Sequence, residues 1–378
     1  MQAPPPVDFA PALHLLAVAL VLATALLAAW WWRQRRAGHG DRRVALAVLT
    51  VFVTADLIVF GSFTRLTDSG LGCPDWPGCY GAASPLGATT AIDAAERALP
   101  SGPVTPTKAW IEMIHRYLAM TVGALILALN VVLWRARKAL GSAPTWAAAA
   151  LLWVLVQGLF GKYTVTLKLY PVVVTSHLLG GMVLVGLLVA QFESLRRASA
   201  LTAARGAGFV LLLVAVQIAL GGWVSSNYAV LACRGFPLCN GQWWPDANFT
   251  QGFALLRELG RAGADGYLEF NALVAIQLAH RWFAVLVVAA VALLAWRLWR
   301  DASTAARRAA AMLTTLLALQ VLSGLSNVLL DWPLFAALMH TAGAACLVAL
   351  LTSLAYRAAE PTTLAQAAIE PGLRRRGA

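Results

Sequence analysis

Nine runs of apolar residues divide the chain, at 11–32, 44–62, 109–134, 147–166, 172–194, 207–225, 271–299, 308–329 and 334–357. About 20 apolar residues carry a helix across the hydrocarbon layer of a bilayer. Each run is therefore read as a membrane-spanning helix. The first run ends in Trp30, Trp31, Trp32 and Arg33 and opens on Pro and Asp rather than on a basic segment. No small-residue cleavage site follows it, so it is expected to be a retained helix and not a signal peptide.

Composition narrows the class further. Of 378 residues, 60% are hydrophobic and only 12% are charged, against roughly 25% charged in ordinary globular chains. Mean hydropathy is +0.70. So few charges do not cover the surface of a soluble protein of this length. The same numbers exclude a disordered chain, a collagen-like fibre and a disulfide-rich mini-protein. The expected class is an all-α polytopic membrane protein.

The net charge of +12 sits in short clusters between the apolar runs, which is the pattern of membrane anchoring rather than of nucleic-acid binding. One set of connections carries Arg33, Arg35, Arg36, Arg42, Arg43, Arg135, Arg137, Lys138, Arg196, Arg197, Arg205, Arg297, Arg300, Arg307, Arg308, Arg357 and Arg374 to Arg376, nineteen in all. The other carries eight: Arg65, Arg97, Lys108, Lys162, Lys168, Arg234, Arg257 and Arg261. The positive-inside rule places the first set, and the C-terminus, in the cytoplasm. The N-terminus and the long loops 63–108 and 226–270 then lie outside, which in a bacterial inner membrane means the periplasm.

The chain also repeats itself. Cys73-Pro-Asp-Trp-Pro-Gly-Cys79-Tyr-Gly81 and Cys233-Arg-Gly-Phe-Pro-Leu-Cys239-Asn-Gly241 share C-x5-C, with Pro two residues before the second Cys and Gly two after it, at an offset of 160. Ile114-His115-Arg116-Tyr117 matches Ala279-His280-Arg281-Trp282 at offset 165. Gln157 with Gly161 matches Gln320 with Gly324, and His177 matches His340, all at 163. Two tandem four-helix bundles follow, related by a pseudo-two-fold along the membrane normal, plus one extra N-terminal helix. The expected divisions are 1–43, 44–206, 207–357 and a cytoplasmic tail at 358–378.

Four of the six histidines fall into this repeat. His115, His177, His280 and His340 each lie a few turns into a helix running from the loop side inward, about 10–13 Å deep at 1.5 Å per residue. His14 has no partner in the repeat and His39 sits in a basic turn, so both are read as structural. One intramembrane His is often a packing device. Two symmetric pairs at matching depth point instead to ligands, because ionisable groups in a membrane are costly and usually functional. Zinc sites tend to add Cys or carboxylate. A di-iron bundle needs a second Glu-x-x-His motif, and Glu112-x-x-His115 has only Gln277-x-x-His280 as its counterpart. Two His on facing helices of an apolar bundle suit haem. Arg116 and Arg281 are expected either to face haem propionates or to anchor helix ends.

Arg65-Leu-Thr-Asp-Ser-Gly-Leu-Gly-Cys-Pro-Asp-Trp-Pro-Gly-Cys79, Glu112-Met-Ile-His-Arg116, Thr164-Val-Thr-Leu-Lys168, Pro171 and Thr175-Ser-His-Leu-Leu-Gly-Gly181 resemble the haem A synthase family. The resemblance covers residues 44–357. It implies an eight-helix core carrying haem b, and oxidation of one methyl group of the substrate haem O to a formyl group. By position it makes His115, His177, His280 and His340 the functional histidines, Glu112 the acidic residue of the first half, and Cys73 and Cys79 an outer-loop redox pair. Haem O synthase and an electron acceptor are its expected membrane partners. The helix at 11–32 lies outside that core. A cytochrome b electron carrier with the same four His is the rival reading, and a two-repeat transporter a third.

Cys73 is expected to pair with Cys79 and Cys233 with Cys239, each close in sequence in an oxidising compartment. Glu112 and Gln277 each precede a histidine by three residues and so share its helix face. Only Glu can take up a proton near neutral pH. The first half, with Glu112, His115 and His177, is therefore the expected place for chemistry, and His280 and His340 for a resident haem b. Asp56, in mid-helix, is left open between a residue without function and one that meets an intramembrane donor or lines the site. Cys346 reads as a packed core thiol. Gln157, Gln217 and Gln320, each four residues before a Gly, read as helix packing.

Overall fold

The computed structural model describes residues 10–37, 41–256 and 268–360. His39, Arg257, Arg261 and the basic tail at Arg374 to Arg376 lie outside the described residues. Every predicted apolar run is a helix: α1 (Ala10–Ala37), α2 (Arg42–Leu66), α4 (Pro106–Arg135), α5 (Ala143–Thr166), α6 (Pro171–Leu195), α7 (Ala207–Ser226), α9 (Phe270–Trp299), α10 (Thr304–Leu329) and α11 (Leu334–Ala359). Two short helices, α3 (Thr89–Ala98) and α8 (Phe249–Gly252), lie in the long loops. Among the described residues, nine helices are long and apolar enough to cross a membrane. The protein is an all-α polytopic membrane protein.

Local chemistry sets the helix ends. Asp41 caps α2 by accepting the Arg43 N–H, Thr105 caps α4 by accepting the Lys108 N–H, and Ser303 caps α10 by accepting the Ala306 N–H. Each satisfies one of the N–H groups that a helix start leaves without a partner. Pro106 and Pro171 stand where a missing N–H costs nothing. After α2 and α7 the chain turns through positive φ at Asp68 and Tyr228, and after α5 and α10 at Lys168, Leu169, Asp331 and Trp332. The turns thus recur at the offsets of the sequence repeat.

In the first half the helices neighbour one another in the ring α2–α4–α5–α6; in the second the ring is α7–α9–α10–α11. Both histidine-bearing helices of each half, α4 with α6 and α9 with α11, are diagonal across their ring. The halves meet through α2, α6, α7 and α11. Lipid is as apolar as a helix surface, so polar ties and close packing hold helices together in a membrane. Such ties cross this boundary. Ser62 and Thr341 hydroxyls are 3.0 Å apart, Ser353 donates to buried Glu193 Oε1 at 2.7 Å, and Arg65 Nη2 donates to Ser225 O at 2.5 Å. Arg65 also covers the Tyr228 ring at 4.2 Å, whose hydroxyl donates to Asp68 at 2.8 Å.

Helix α1 packs mainly along α4. It buries Pro11, Leu15, Ala19 and Ala23, a single i, i+4 ridge of the kind that fits a neighbour's groove. Leu15 joins the cluster of Cys73, Cys79, Ile92, Ala109 and Met113. The additional helix therefore braces both α4 and the first cysteine loop.

Candidate functional site

Each of the four histidines faces a glycine on the next helix. A Cβ at Gly61 of α2 would lie 2.9 Å from the His115 ring, and one at Gly161 of α5 3.6 Å from His177. In the second half, a Cβ at Gly221 of α7 would lie 3.1 Å from His280, and one at Gly324 of α10 3.2 Å from His340. The missing side chains give each imidazole a slot in the helix wall. Phe60 stacks on His115 at 6.3 Å. His115 and His177 stand on the diagonal helices α4 and α6 of one ring, and His280 and His340 on α9 and α11 of the other. Among the described residues, no group of three or more His, Cys, Asp or Glu is set to hold a bare metal ion. Two imidazoles per half, on diagonal helices in apolar surroundings, would suit a haem, whose iron is commonly held by histidine.

The halves differ around these rings. His340 Nδ1 is 3.0 Å from Ser323 Oγ, and His280 Nδ1 is 3.1 Å from Gln217 Nε2, which also donates to the His280 carbonyl at 3.1 Å. His115 Nδ1 and His177 Nδ1 are buried with no hydrogen-bond partner. At the corresponding positions the first half has Leu57 for Gln217 and Phe160 for Ser323.

Above each pair sits a disulfide loop. Cys73 is bonded to Cys79 and Cys233 to Cys239, each across six positions of sequence, as expected. An arginine on the histidine helix clasps each loop. Arg116 Nη1 donates to Asp75 O at 2.9 Å, to Pro77 O at 3.1 Å and to Gly78 O. Arg281 donates to Gly235 O at 2.9 Å, to Leu238 O at 3.3 Å and to Cys233 O at 2.6 Å. Both guanidinium groups bond to loop carbonyls, and Arg281 Nε is buried without a partner. They anchor the loops to the helices.

Glu112 completes the first clasp and has no equal in the second. Its side chain is 4% exposed and pairs with Arg116 Nη2 at 2.5 Å through Oε1. Oε2 accepts the backbone N–H of Cys73 at 2.8 Å. Gln277 instead donates to Val230 O at 3.1 Å, and its Oε1 is buried without a partner. The ion pair with Arg116 is thus present, and it lies within a network that reaches the disulfide.

The family model described as cytochrome oxidase assembly protein, COX15-CtaA, matches residues 44–352. The chain belongs to this family. Members similar to it include proteins named "Heme A synthase" from Shewanella oneidensis (38% identical, covering 82% of this chain and 94% of the relative). Others are from Paracoccus denitrificans (30%, covering 86% and 91%) and Caulobacter vibrioides (28%, covering 85% and 98%). Helix α1 precedes the segment that the COX15-CtaA model matches.

The structure decides one open reading and corrects one expectation. Asp56 is exposed and points away from the buried stripe of Thr50, Thr54 and Ile58, so it does not line the histidine pocket. Cys346 is exposed rather than packed; Ala345 and Leu347 on either side take the buried positions. Gln157 and Gln320 press on Gly180 and Gly343, as packing residues do, and Gln320 also donates to the His340 carbonyl at 2.9 Å. Gln217 reaches a histidine ring, so its reading as packing alone was too narrow. The sequence reading missed Ser323 and Gly61, and read Gly161, Gly221 and Gly324 as packing glycines alone. The signal was present, because Gly61 and Gly221 stand 160 apart and Gly161 and Gly324 stand 163 apart.

Proposed function

We propose that this membrane enzyme oxidises a methyl group of haem O to a formyl group, making haem A. The observation that carries the reading is the asymmetry between the two histidine pairs. Glu112 stands three residues before His115, where the second half has Gln277. Four relatives of the family bear the name of this activity over most of their length.

In this reading His115 and His177 of the first unit (44–206) hold the substrate haem O. His280 and His340 of the second unit (207–357) hold a resident haem b. Iron in that group supplies one-electron chemistry when bound. The remaining work falls to side chains. Fixing the ring through two opposed imidazoles presents the same edge methyl in each turnover. The apolar walls of α2, α4, α5 and α6 keep water from the ring and accept the isoprenoid tail.

Glu112 is the proton acceptor in this scheme. A carboxylate offers about four lone-pair sites. Arg116 and the Cys73 N–H occupy two, which leaves capacity for a proton released as C–H bonds break. Arg116 holds Glu112 and the loop in one arrangement, so the Cys73–Cys79 disulfide stays close to the carboxylate. The N-terminus and both cysteine loops face the periplasm, and residues 358–378 form a tail in the cytoplasm of a bacterial inner membrane. Haem O synthase and an electron acceptor are its membrane partners.

The test is to purify His115→Ala, His280→Ala and His340→Ala variants and to record their optical spectra and haem content. The second and third should lose the resident haem, and the first should keep it while losing conversion of haem O. If His115→Ala strips the resident haem while His280→Ala retains it, the division of labour is wrong. If haem is absent from the parent protein, so is the chemistry.

A further inference from the structure

We infer that Ser323 is a positioning residue for the iron ligand His340, and that it fixes one ligand of the second histidine pair while the first pair, which has no such residue, is left free to exchange its haem. The inference rests on the proposal that His280 and His340 hold a resident haem.

The tautomer follows from hydrogen-bond counting. A serine hydroxyl has one proton to give and two lone pairs. Ser323 Oγ lies 2.7 Å from Leu319 O, one turn back in α10, and 3.3 Å from Gln320 O. Both are carbonyl acceptors, so the proton is committed to the helix backbone. Oγ therefore meets His340 Nδ1, 3.0 Å away, as an acceptor. Nδ1 must carry the ring proton, and the lone pair is left on Nε2, the state needed to bind iron. Gln320 holds the His340 carbonyl from the same helix, so ring and backbone are gripped together. His280 differs: Gln217 meets its ring and its carbonyl through the Nε2 amide donor, which holds the residue in place but offers no acceptor to Nδ1.

The first half has no such acceptor at either ligand. Phe160 and Leu57 occupy the positions of Ser323 and Gln217, and neither side chain has a polar atom. His115 Nδ1 and His177 Nδ1 are buried without a partner. An imidazole with no acceptor at Nδ1 is not fixed in one tautomer, and it is a weaker ligand. That suits a site that must release its product and take in the next substrate. A cofactor site has the opposite need. The repeat thus keeps the ligand histidines and varies the groups behind them.

Outer-shell partners of this kind typically change metal affinity by about 10–100-fold. The experiment compares full-length Ser323→Val and Ser323→Thr, which have nearly the same shape and differ by the hydroxyl, with Ser323→Ala and His340→Ala beside them. The readouts are the rate at which an excess of apoglobin strips haem from the detergent-purified protein, and the midpoint potential of the resident haem. Ser323→Val and Ser323→Ala should lose haem about 10–100-fold faster than the parent. Their potential should rise, because a ligand without an Nδ1 acceptor donates less charge to oxidised iron. Ser323→Thr should stay near the parent in both. If Val and Thr behave alike, or if Ser323→Ala matches the parent in both rate and potential, Ser323 has no positioning role. If His340→Ala retains the resident haem, the underlying haem assignment is what has failed.

Discussion

The carboxylate of Glu112 accepts the backbone N–H of Cys73 at 2.8 Å, so a side chain three residues from His115 is joined directly to the disulfide loop. The other half has no such link: Gln277 bonds to Val230 O instead. Glu112→Gln keeps the shape and a hydrogen-bonding oxygen but removes the charge and the proton acceptor. The resident haem spectrum should be unchanged, and conversion of haem O should fall at least 10²-fold, the usual scale for loss of a general base. Haem extraction and chromatography after incubation with haem O measures this. Normal haem A production by Glu112→Gln would remove Glu112 from the chemistry and leave it a tether for the loop.

Arg116 and Arg281 grip equivalent loops, but only Arg116 also neutralises a buried carboxylate. Removing one partner of a buried ion pair costs about 3–5 kcal/mol, because the other charge is left without compensation. Removing Arg281 leaves only unpaired carbonyls, about 1–3 kcal/mol each when buried and less where water reaches them. Arg116→Ala should therefore destabilise the protein more than Arg281→Ala. The double variant Arg116→Ala with Glu112→Gln should recover part of the loss. Thermal unfolding in detergent, followed by circular dichroism, reports the order.

Much of this was legible before any coordinates. Long apolar runs are unambiguous, and all nine became helices. The repeat could be read because cysteines, histidines and glutamines are rare enough in a membrane chain to serve as markers. What sequence could not supply was orientation around each helix. Cys346 and Asp56 both turned out exposed, since a helix in lipid shows little periodicity to say which face is buried. Arg116 and Arg281 were equally open between haem and loop, because a guanidinium reaches several ångströms and only the loop path decides. Ser323 was invisible for a related reason: a mid-helix serine usually bonds its own backbone, and its second contact appears only when α10 and α11 are packed.

Orientation in the membrane rests on the uneven distribution of Lys and Arg. A reporter that is active only outside the cytoplasm, fused after residue 90 in the loop bearing Cys73 and Cys79, should be active, and the same reporter after residue 140 should be silent. Signals of the opposite sense at both sites would invert the topology. The disulfides would then face a reducing compartment in which such bonds rarely persist.

The four glycines that face the histidines predict a graded series. A methyl group at Gly61 would come within 2.9 Å of the His115 ring, closer than carbon atoms tolerate, so the ring or the helix must move. At Gly221 and Gly324 the approach is 3.1 and 3.2 Å, which a shift of a few tenths of an ångström relieves. At Gly161 it is 3.6 Å, an ordinary van der Waals contact. Forced overpacking of this kind costs typically about 1–3 kcal/mol, and a ligand displaced by a fraction of an ångström loses alignment with its metal. Gly61→Ala should therefore abolish conversion of haem O while the resident haem is retained. Gly221→Ala and Gly324→Ala should weaken retention of the resident haem, visible as a lower ratio of Soret to protein absorbance after purification. Gly161→Ala should be close to neutral in both. The order matters more than any single value, because general destabilisation of the bundle would not separate two glycines on the same half. If Gly161→Ala is as damaging as Gly61→Ala, the slots do not act by making room for imidazoles.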